Sequence, residues 1–423
     1  MILSYKYRIY PTKKQEETLL KTLDLCRELY NAAVFERKDA YKKQGKYISY
    51  RHQQNQLPLV RKIRPDITQV YSQVLQDVLK RVDKAFKAFF GRVKKNKNNQ
   101  KPGFPKFKNK KFYSSFTYPQ FNHGFKLTQS KKLLLSKIGN IKIRLPRLPE
   151  GKIKTCTIIK DKNQWFACFA CEVKEKTKIE TKKEENLSLI PSIVFNIGSG
   201  DMGLKSLITF HTGEKIENPK YLYKTEKKLK RIQRSLTRKK KFSKNWEKIK
   251  RKIQTLHTKI KNQRDDFLHK VSRLIVNTYS VFFFERLNIS GMIKSKNKNN
   301  NNSKSIHDSS WRKLCQFIEY KAKKDGRLAL PVNSRNSSQE CSKCGNVKEG
   351  ENRLKLKDRV YRCEKCGLVI DRDWNAALVI LRRGLEEYRG VAGNSNKSLW
   401  RPEVAGEGEE NPSPVLVSEA GSL

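Results

Sequence analysis

The chain has 423 residues, and its 93 Lys and Arg against 41 Asp and Glu give a formal charge of +52. A compact protein keeps such a charge beside a polyanion, and nucleic acid is the obvious one. With 37% hydrophobic residues it is no disordered tail protein, and no run approaches the ~20 apolar residues of a membrane-spanning helix.

Tyr5–Tyr10 alternates like a strand, and Pro11-Thr12-Lys-Lys-Gln15 then opens a helix, with Thr12 as N-cap and Gln15 as its capping-box partner. Leu19, Leu23, Cys26, Leu29 and Ala33 continue it at helical spacing. A second helical stretch is predicted from Ile67 to Lys94, with Val74, Val78, Val82, Phe86 and Phe89 on one stripe and Lys80, Arg81, Lys84 and Lys87 on another. Asn96–Lys111 reads as a connector. Beyond it come short runs with strand character: Ser115–Tyr118, Leu133–Ser136, Ile141–Arg144, Lys154–Ile158 and Trp165–Val173. Spacing this regular predicts a small antiparallel β-barrel, joined by the first ten residues and interrupted by the helices. Cys168 and Cys171 have Cys-x-x-Cys spacing but lie in a strand, where positions three apart face opposite sides, so they do not share a metal.

From Ile193 the reading becomes α/β. Ser192–Phe195 and Ser206–Phe210 read as a hairpin around Asp201-Met-Gly203, and Tyr223–Tyr279 as a long helical hairpin broken near Lys241–Ser243. Ser280–Phe284 is a buried-strand run ending at Glu285. Lys294–Ser305 reads as a mobile Asn/Lys loop, Trp311–Gly326 as a helix, Arg327–Val332 as a strand and Trp374–Leu385 as the last helix. The resulting division is a β-barrel over 1–10 and 103–178, a helical insertion over 11–102 and a linker over 179–190. An α/β domain covers 191–338 and 371–395, with a zinc ribbon inserted at 339–370 and a disordered tail at 396–423.

Two motifs carry chemistry. Cys341-Ser-Lys-Cys344 and Cys363-Glu-Lys-Cys366 are separated by 18 residues, a spacing that lets two turns each offer two thiolates to one tetrahedral zinc. With all four positions filled by protein, that zinc is structural. The five remaining cysteines (Cys26, Cys156, Cys168, Cys171, Cys315) read as buried thiols in a reducing compartment, and Met1–Arg8 has no signal-peptide core. The second motif is a set of carboxylates at the ends of apolar strands or helix starts: Asp201, Glu285 and Asp373. Taken singly, Asp201 reads as well as a turn residue, Glu285 as an ion-pair partner of Arg286, and Asp371 or Asp373 as an N-cap. Together, in a chain of charge +52, they favour a nuclease. Desolvated carboxylates are costly unless they bind cations, and two Mg²⁺ or Mn²⁺ ions can activate water and stabilise the leaving oxygen of a phosphodiester.

Tyr10–Gln15, Gly103–Lys108, Asp201–Lys205, Asn262–Lys270, Glu285–Met292, Ser338–Cys341 and Asp371–Ala377, in this order, resemble the TnpB family of transposon-encoded RNA-guided nucleases. The resemblance implies an RNase H-like, RuvC-type nuclease domain with Asp201, Glu285 and Asp373 as magnesium or manganese ligands, because the third ligand is the Asp two places before Asn-Ala-Ala. It implies a guide RNA and a double-stranded DNA target as partners and no membrane. It also implies a wedge-type barrel that recognises a short duplex motif, and a prokaryotic protein, a monomer or dimer on its RNA; the lack of a spanning run and of a signal-peptide core reads as a cytoplasmic or nucleoid-associated location. Gln73, Gln76 and Lys80 on the basic helix, with Thr117 and Gln120, are the nucleic-acid contacts this reading selects. The family usually enters its first Asp through apolar-Gly-apolar-Asp, whereas here the approach is Asn196-Ile-Gly198-Ser-Gly200-Asp201. A register slip there would aim the side chain at the wrong face. The alternatives are therefore a nuclease-impaired RNA-guided repressor and a non-catalytic zinc-ribbon nucleic-acid-binding protein.

Overall fold

A computed structural model describes residues 1–94, 102–175, 196–294, 302–333, 335–355, 357–393 and 415–417. They fall into two compact units, the first within Met1–Lys174 together with 415–417 and the second within Glu175–Arg401. The predicted linker, the strand Ser192–Phe195 and nearly all of the tail lie outside the described residues. Among the described residues no helix is long and apolar enough to cross a membrane.

The first unit opens with β1 (Ile2–Tyr10), whose Leu3, Tyr5, Tyr7 and Ile9 are buried by the alternation seen in the sequence. Its partners are β2 (Ser115–Tyr118), β3 (Phe125–Leu127), β4 (Lys132–Leu135), β5 (Gly139–Ile143), β6 (Lys152–Asp161) and β7 (Gln164–Glu172). These form a sheet in the order β2-β6-β7-β1-β5-β4-β3. Its two end strands meet: the Tyr118 and Phe125 rings are 6.4 Å apart, and Phe125 stacks on Phe169 of β7 at 6.0 Å. Leu3–Tyr5 also pair in parallel with β15 (Val415–Val417), so this part of the predicted tail is a strand.

Three helices leave this sheet between β1 and β2. Helix α1 (Lys13–Gln44) starts at the predicted capping box and stops at Gly45, which takes the left-handed conformation a C-cap requires. Helix α2 (Tyr50–Ile63) was not expected, because it carries Pro58 and buries only Gln53 and Leu57. Helix α3 begins at Ser72, not Ile67, and ends at Lys94; Pro65–Gln69 is a 3₁₀ turn, as expected where proline fixes the first residue. Arg37 ties the three together. It is 4% exposed, donates to Gln53 Oε1 at 2.8 Å and pairs with Asp83 at 3.2 Å, as a buried guanidinium must.

In the second unit a five-stranded sheet has the order β10-β9-β8-β11-β12. It comprises β8 (Ile197–Asp201), β9 (Ser206–Phe210), β10 (Lys215–Glu217), β11 (Val281–Glu285) and β12 (Leu328–Val332). β8, β11 and β12 are parallel, and β9 returns antiparallel on β8. The expected hairpin is thus displaced along the chain: Asp201 closes a strand rather than sitting in its turn. Helices α4 (Tyr221–Thr237) and α5 (Lys244–Thr278) form the long helical hairpin. They are followed by α6 (Ile289–Lys294), α7 (Asn302–Ser309) and α8 (Trp311–Lys324). Helix α7 overrides part of the stretch expected to be a mobile loop, since its Ile306 and Ser309 are buried. The last helix, α9 (Arg372–Gly393), starts two residues before the expected Trp374.

Candidate metal centres and carboxylate site

The strand β8 has the sequence Ile-Gly-Ser-Gly-Asp, in which Ile197 alone favours a strand. Its neighbours compensate. A side chain at Gly198 would overlap the Tyr279 ring, and one at Gly200 would meet Ile208 and Phe282. Large side chains from elsewhere therefore fill the space that side chains at these two positions would take. On the opposite face Ser199 is fully buried and donates to the Ala377 carbonyl of α9 at 2.7 Å. The close approach of α9 is secured again at Gly384, where a Cβ would overlap the Phe283 ring.

This geometry decides where Asp201 points. Val281 pairs with Ile197 and Phe284 with Gly200, so Glu285 is the next residue level with Asp201. In-register neighbours on parallel strands share a face about 4.8 Å apart. That face is the one carrying Ser199, Phe283 and α9, whose first turn holds Asp373. The two strand carboxyls share a hydrogen bond, and Ser337 Oγ donates to Glu285 Oε1 at 3.1 Å. Burial, then the charges of Glu285 and Asp373, pushes the Asp201 carboxyl well above its ordinary 3.8. Burial likewise raises Glu285, against the hydrogen bonds from Asp201 and Ser337. Asp373 is paired with Arg372 at 3.0 Å and faces Arg359 at 3.8 Å.

Asp371 is placed for a different task. Its Oδ1 accepts from the backbone N–H groups of Asp373 (3.0 Å) and Trp374 (3.1 Å), and its other oxygen pairs with Lys215 at 2.9 Å. Burial raises its carboxyl, but Lys215 and these two donors outweigh that and hold it below its ordinary value. It caps α9.

The four cysteines come together as their spacing predicts. Cys341 with Cys344 forms one knuckle, and Cys363 with Cys366 the other, at the hairpin of β13 (Val360–Arg362) and β14 (Val369–Asp371). Each knuckle ends in a glycine with positive φ, Gly345 at 74° and Gly367 at 72°, whose N–H donates to the carbonyl of the first cysteine at 3.0 Å. All four sulfurs lie within 4.8 Å of one another, with Cys341–Cys366 at 3.6 Å and Cys344–Cys363 at 3.5 Å. Four ligands about 2.3 Å from a tetrahedral zinc would be separated by about 3.8 Å, so the cluster fits that ion. Buried Asn375 joins it to α9, accepting from Ser342 N–H at 2.9 Å and donating to the Glu340 carbonyl at 2.7 Å.

Of the residues selected for nucleic acid, Gln73 donates to Gln120 at 2.7 Å, bringing the start of α3 beside the segment after β2. The Thr117 hydroxyl is engaged by Arg81 at 2.6 Å and Thr157 at 2.9 Å. Gln76 is half-buried and Lys80 exposed, its ammonium 6.0 Å from the Tyr50 ring centroid. Sequence reasoning missed Ser337, one residue before a quoted motif, and the roles of Arg359 and Arg372 beside Asp373.

The chain of "Cryo-EM structure of the Cas12f1-sgRNA-target DNA complex" matches with a TM-score of 0.55 at 16% identity, covering 88% of this chain and 83% of that one. Family models match as "Probable transposase" over residues 199–296, "Cas12f1-like, TNB domain" over 311–380 and "Helix-turn-helix domain" over 1–46. The last of these covers a strand and a single helix here. "Putative RNA-guided DNA endonuclease" of Streptomyces pristinaespiralis is 31% identical over 90% of this chain and 89% of its own length. InsQ of Escherichia coli (strain K12), named for the same activity, is 30% identical over 90% and 92%. The chain belongs to the TnpB family.

The raised carboxyls make a test without any nucleic acid. The native state retains protons there that the unfolded chain has lost, so stability falls as pH climbs above the ordinary values of 3.8 and 4.5 towards the raised native ones. A divalent cation held by these hard oxygens would remove that penalty. Mg²⁺ or Mn²⁺ is therefore expected to raise the melting temperature more at about pH 8 than at about pH 5. An equal shift at both values, or in an Asp201→Asn, Glu285→Gln protein, would count against the assignment.

Proposed function

We propose that the protein is an RNA-guided DNA endonuclease of transposon type, hydrolysing phosphodiesters at Asp201, Glu285 and Asp373. The observation that carries this is the register of β8 on β11, which brings Asp201 level with Glu285 on the face that α9 covers. A slipped strand would have favoured the nuclease-impaired repressor; the observed pairing weighs against it. Hard, buried carboxylates suit Mg²⁺ or Mn²⁺, and such ions when bound would polarise a phosphoryl oxygen and activate water. The chain's own part is to fix the ligands: Ser337 orients Glu285, Asp371 caps the helix that presents Asp373, and Arg372 supplies a positive charge beside it. The four thiolates hold a structural zinc that positions the same helix.

In this reading the second unit is an RNase H-like nuclease domain over 191–338 and 371–395, with the ribbon at 339–370. The first is a small barrel over 1–10 and 103–178, with 11–102 inserted. Gln73, Gln76, Lys80 and Gln120 face duplex DNA beside the target, and Thr117 holds Arg81 in place. Base pairing with the guide supplies sequence specificity, and the protein contributes backbone contacts and a short direct readout. The test is to purify the protein, sequence the RNA that accompanies it, and supply matching DNA with Mg²⁺. Cutting that requires the match is the expected result; tight target binding without cutting would favour the repressor, and no retained RNA would remove the reading altogether.

A further inference from the structure

The hairpin of α4 and α5 has a tip that the fold leaves without a core. Helix α4 buries only Leu229, and the buried residues of α5 run from Ile260 to Val276, leaving its first four turns exposed or half-buried. Between Lys227 and Lys252 there are fourteen Lys and Arg against one acidic residue, Glu247, and all fourteen are exposed. Self-repulsion on this scale is relieved by a polyanion.

The turn adds a second, independent observation. Phe242 is 73% exposed and sits at φ +68°, a conformation bulky side chains rarely adopt. Its ring lies 5.6 Å from that of Trp246, in the first turn of α5 that Ser243 caps by accepting the Trp246 backbone N–H at 3.1 Å, and the Lys250 ammonium stands 4.7 Å from the Trp246 ring centroid. Core packing does not account for an outward aromatic held in a strained turn. An aromatic pair backed by cations is what a base face needs for stacking.

We propose that this tip, Phe242, Trp246 and Lys250 within its lysine and arginine surround, docks unpaired bases of the RNA that the protein carries. The proposal rests on the RNA-guided reading and deepens it. RNA is favoured over duplex DNA because B-form DNA hides its base faces in the stack, whereas folded RNA presents loops and junctions. Position agrees: α5 spans 35 residues, so the tip lies about 50 Å from the end of α5 that leads into β11. A partner bound there stays clear of the bond being cut.

The test uses the full chain and a transcript of its co-purifying RNA. Phe242→Gly suits the left-handed turn and removes the ring, so it folds whatever its effect on binding. Alone and with Trp246→Ala, it is expected to weaken RNA binding about 10- to 100-fold with an unchanged salt dependence. Lys239→Gln, Lys240→Gln, Lys241→Gln should instead reduce the salt slope. Wild-type RNA affinity in Phe242→Gly, or a loss confined to duplex DNA, overturns the proposal. If the wild type itself binds no RNA, the RNA-guided reading fails with it.

Discussion

Asp201→Ala, Glu285→Ala and Asp373→Ala are each expected to reduce guided DNA cutting by more than about 10³-fold while target binding is retained, since a lost Lewis-acid contribution of several kcal/mol translates into that factor. The comparison that gives this result force is Asp371→Ala. Asp371 lies two residues from Asp373, but its carboxylate is taken up by Lys215 and the first N–H groups of α9. Removing a cap costs about 1 kcal/mol, so cutting should fall only a fewfold. If Asp371→Ala is the lethal change and Asp373→Ala is not, the third ligand is misassigned. Single-turnover cutting on a matched target, with binding measured separately, reads both. Arg372→Ala is informative beside these, because it removes the charge paired with Asp373 and leaves all three carboxylates.

The second large effect concerns zinc. The purified protein should contain one equivalent, and Cys341→Ser, Cys344→Ser should contain none. A structural zinc contributes about 10–16 kcal/mol in small finger peptides, more than a hairpin of this size can supply from its own core. Without the ion the ribbon should lose its fold, become susceptible to protease between the two knuckles, and release Asn375 from Ser342 and Glu340. Cutting is then lost through the adjacent α9, while the first unit still melts as in the wild type. Full zinc retention in the double variant, by elemental analysis, would refute the site.

Local signals predicted what local chemistry controls. The capping box at Thr12 and the knuckles with their glycines stand as expected, because each is settled within a few residues. The long hairpin broken near Lys241–Ser243 is also found, with its helices at Tyr221–Thr237 and Lys244–Thr278. What escaped the sequence depends on partners far along the chain. Ile197–Asp201 reads as a loop until Tyr279, Ile208 and Phe282 fill the space above its glycines. Helix α2 buries Gln53 because Arg37 of α1 requires its amide. The candidate carboxylates were visible as residue types at strand ends, but their common face was not. That depended on the register of β8 against β11, which no spacing in the sequence specifies.

The embrace of β8 by α9 has a bearing on how the molecule comes into being. Asp201 and Asp373 are 172 positions apart, and the hydroxyl of Ser199 finds its acceptor only on Ala377. Chains are made from the amino end, and domains fold as they emerge. The sheet strands β8, β11 and β12 can therefore pair while the ribosome is still at work, but the third carboxylate and the helix that seats it arrive last. An unfinished chain is thus already strongly basic but still lacks the third carboxylate. On the proposed nuclease reading, competence to cut would be withheld until synthesis has passed the ribbon, and truncated products of the gene would bind nucleic acid without breaking it.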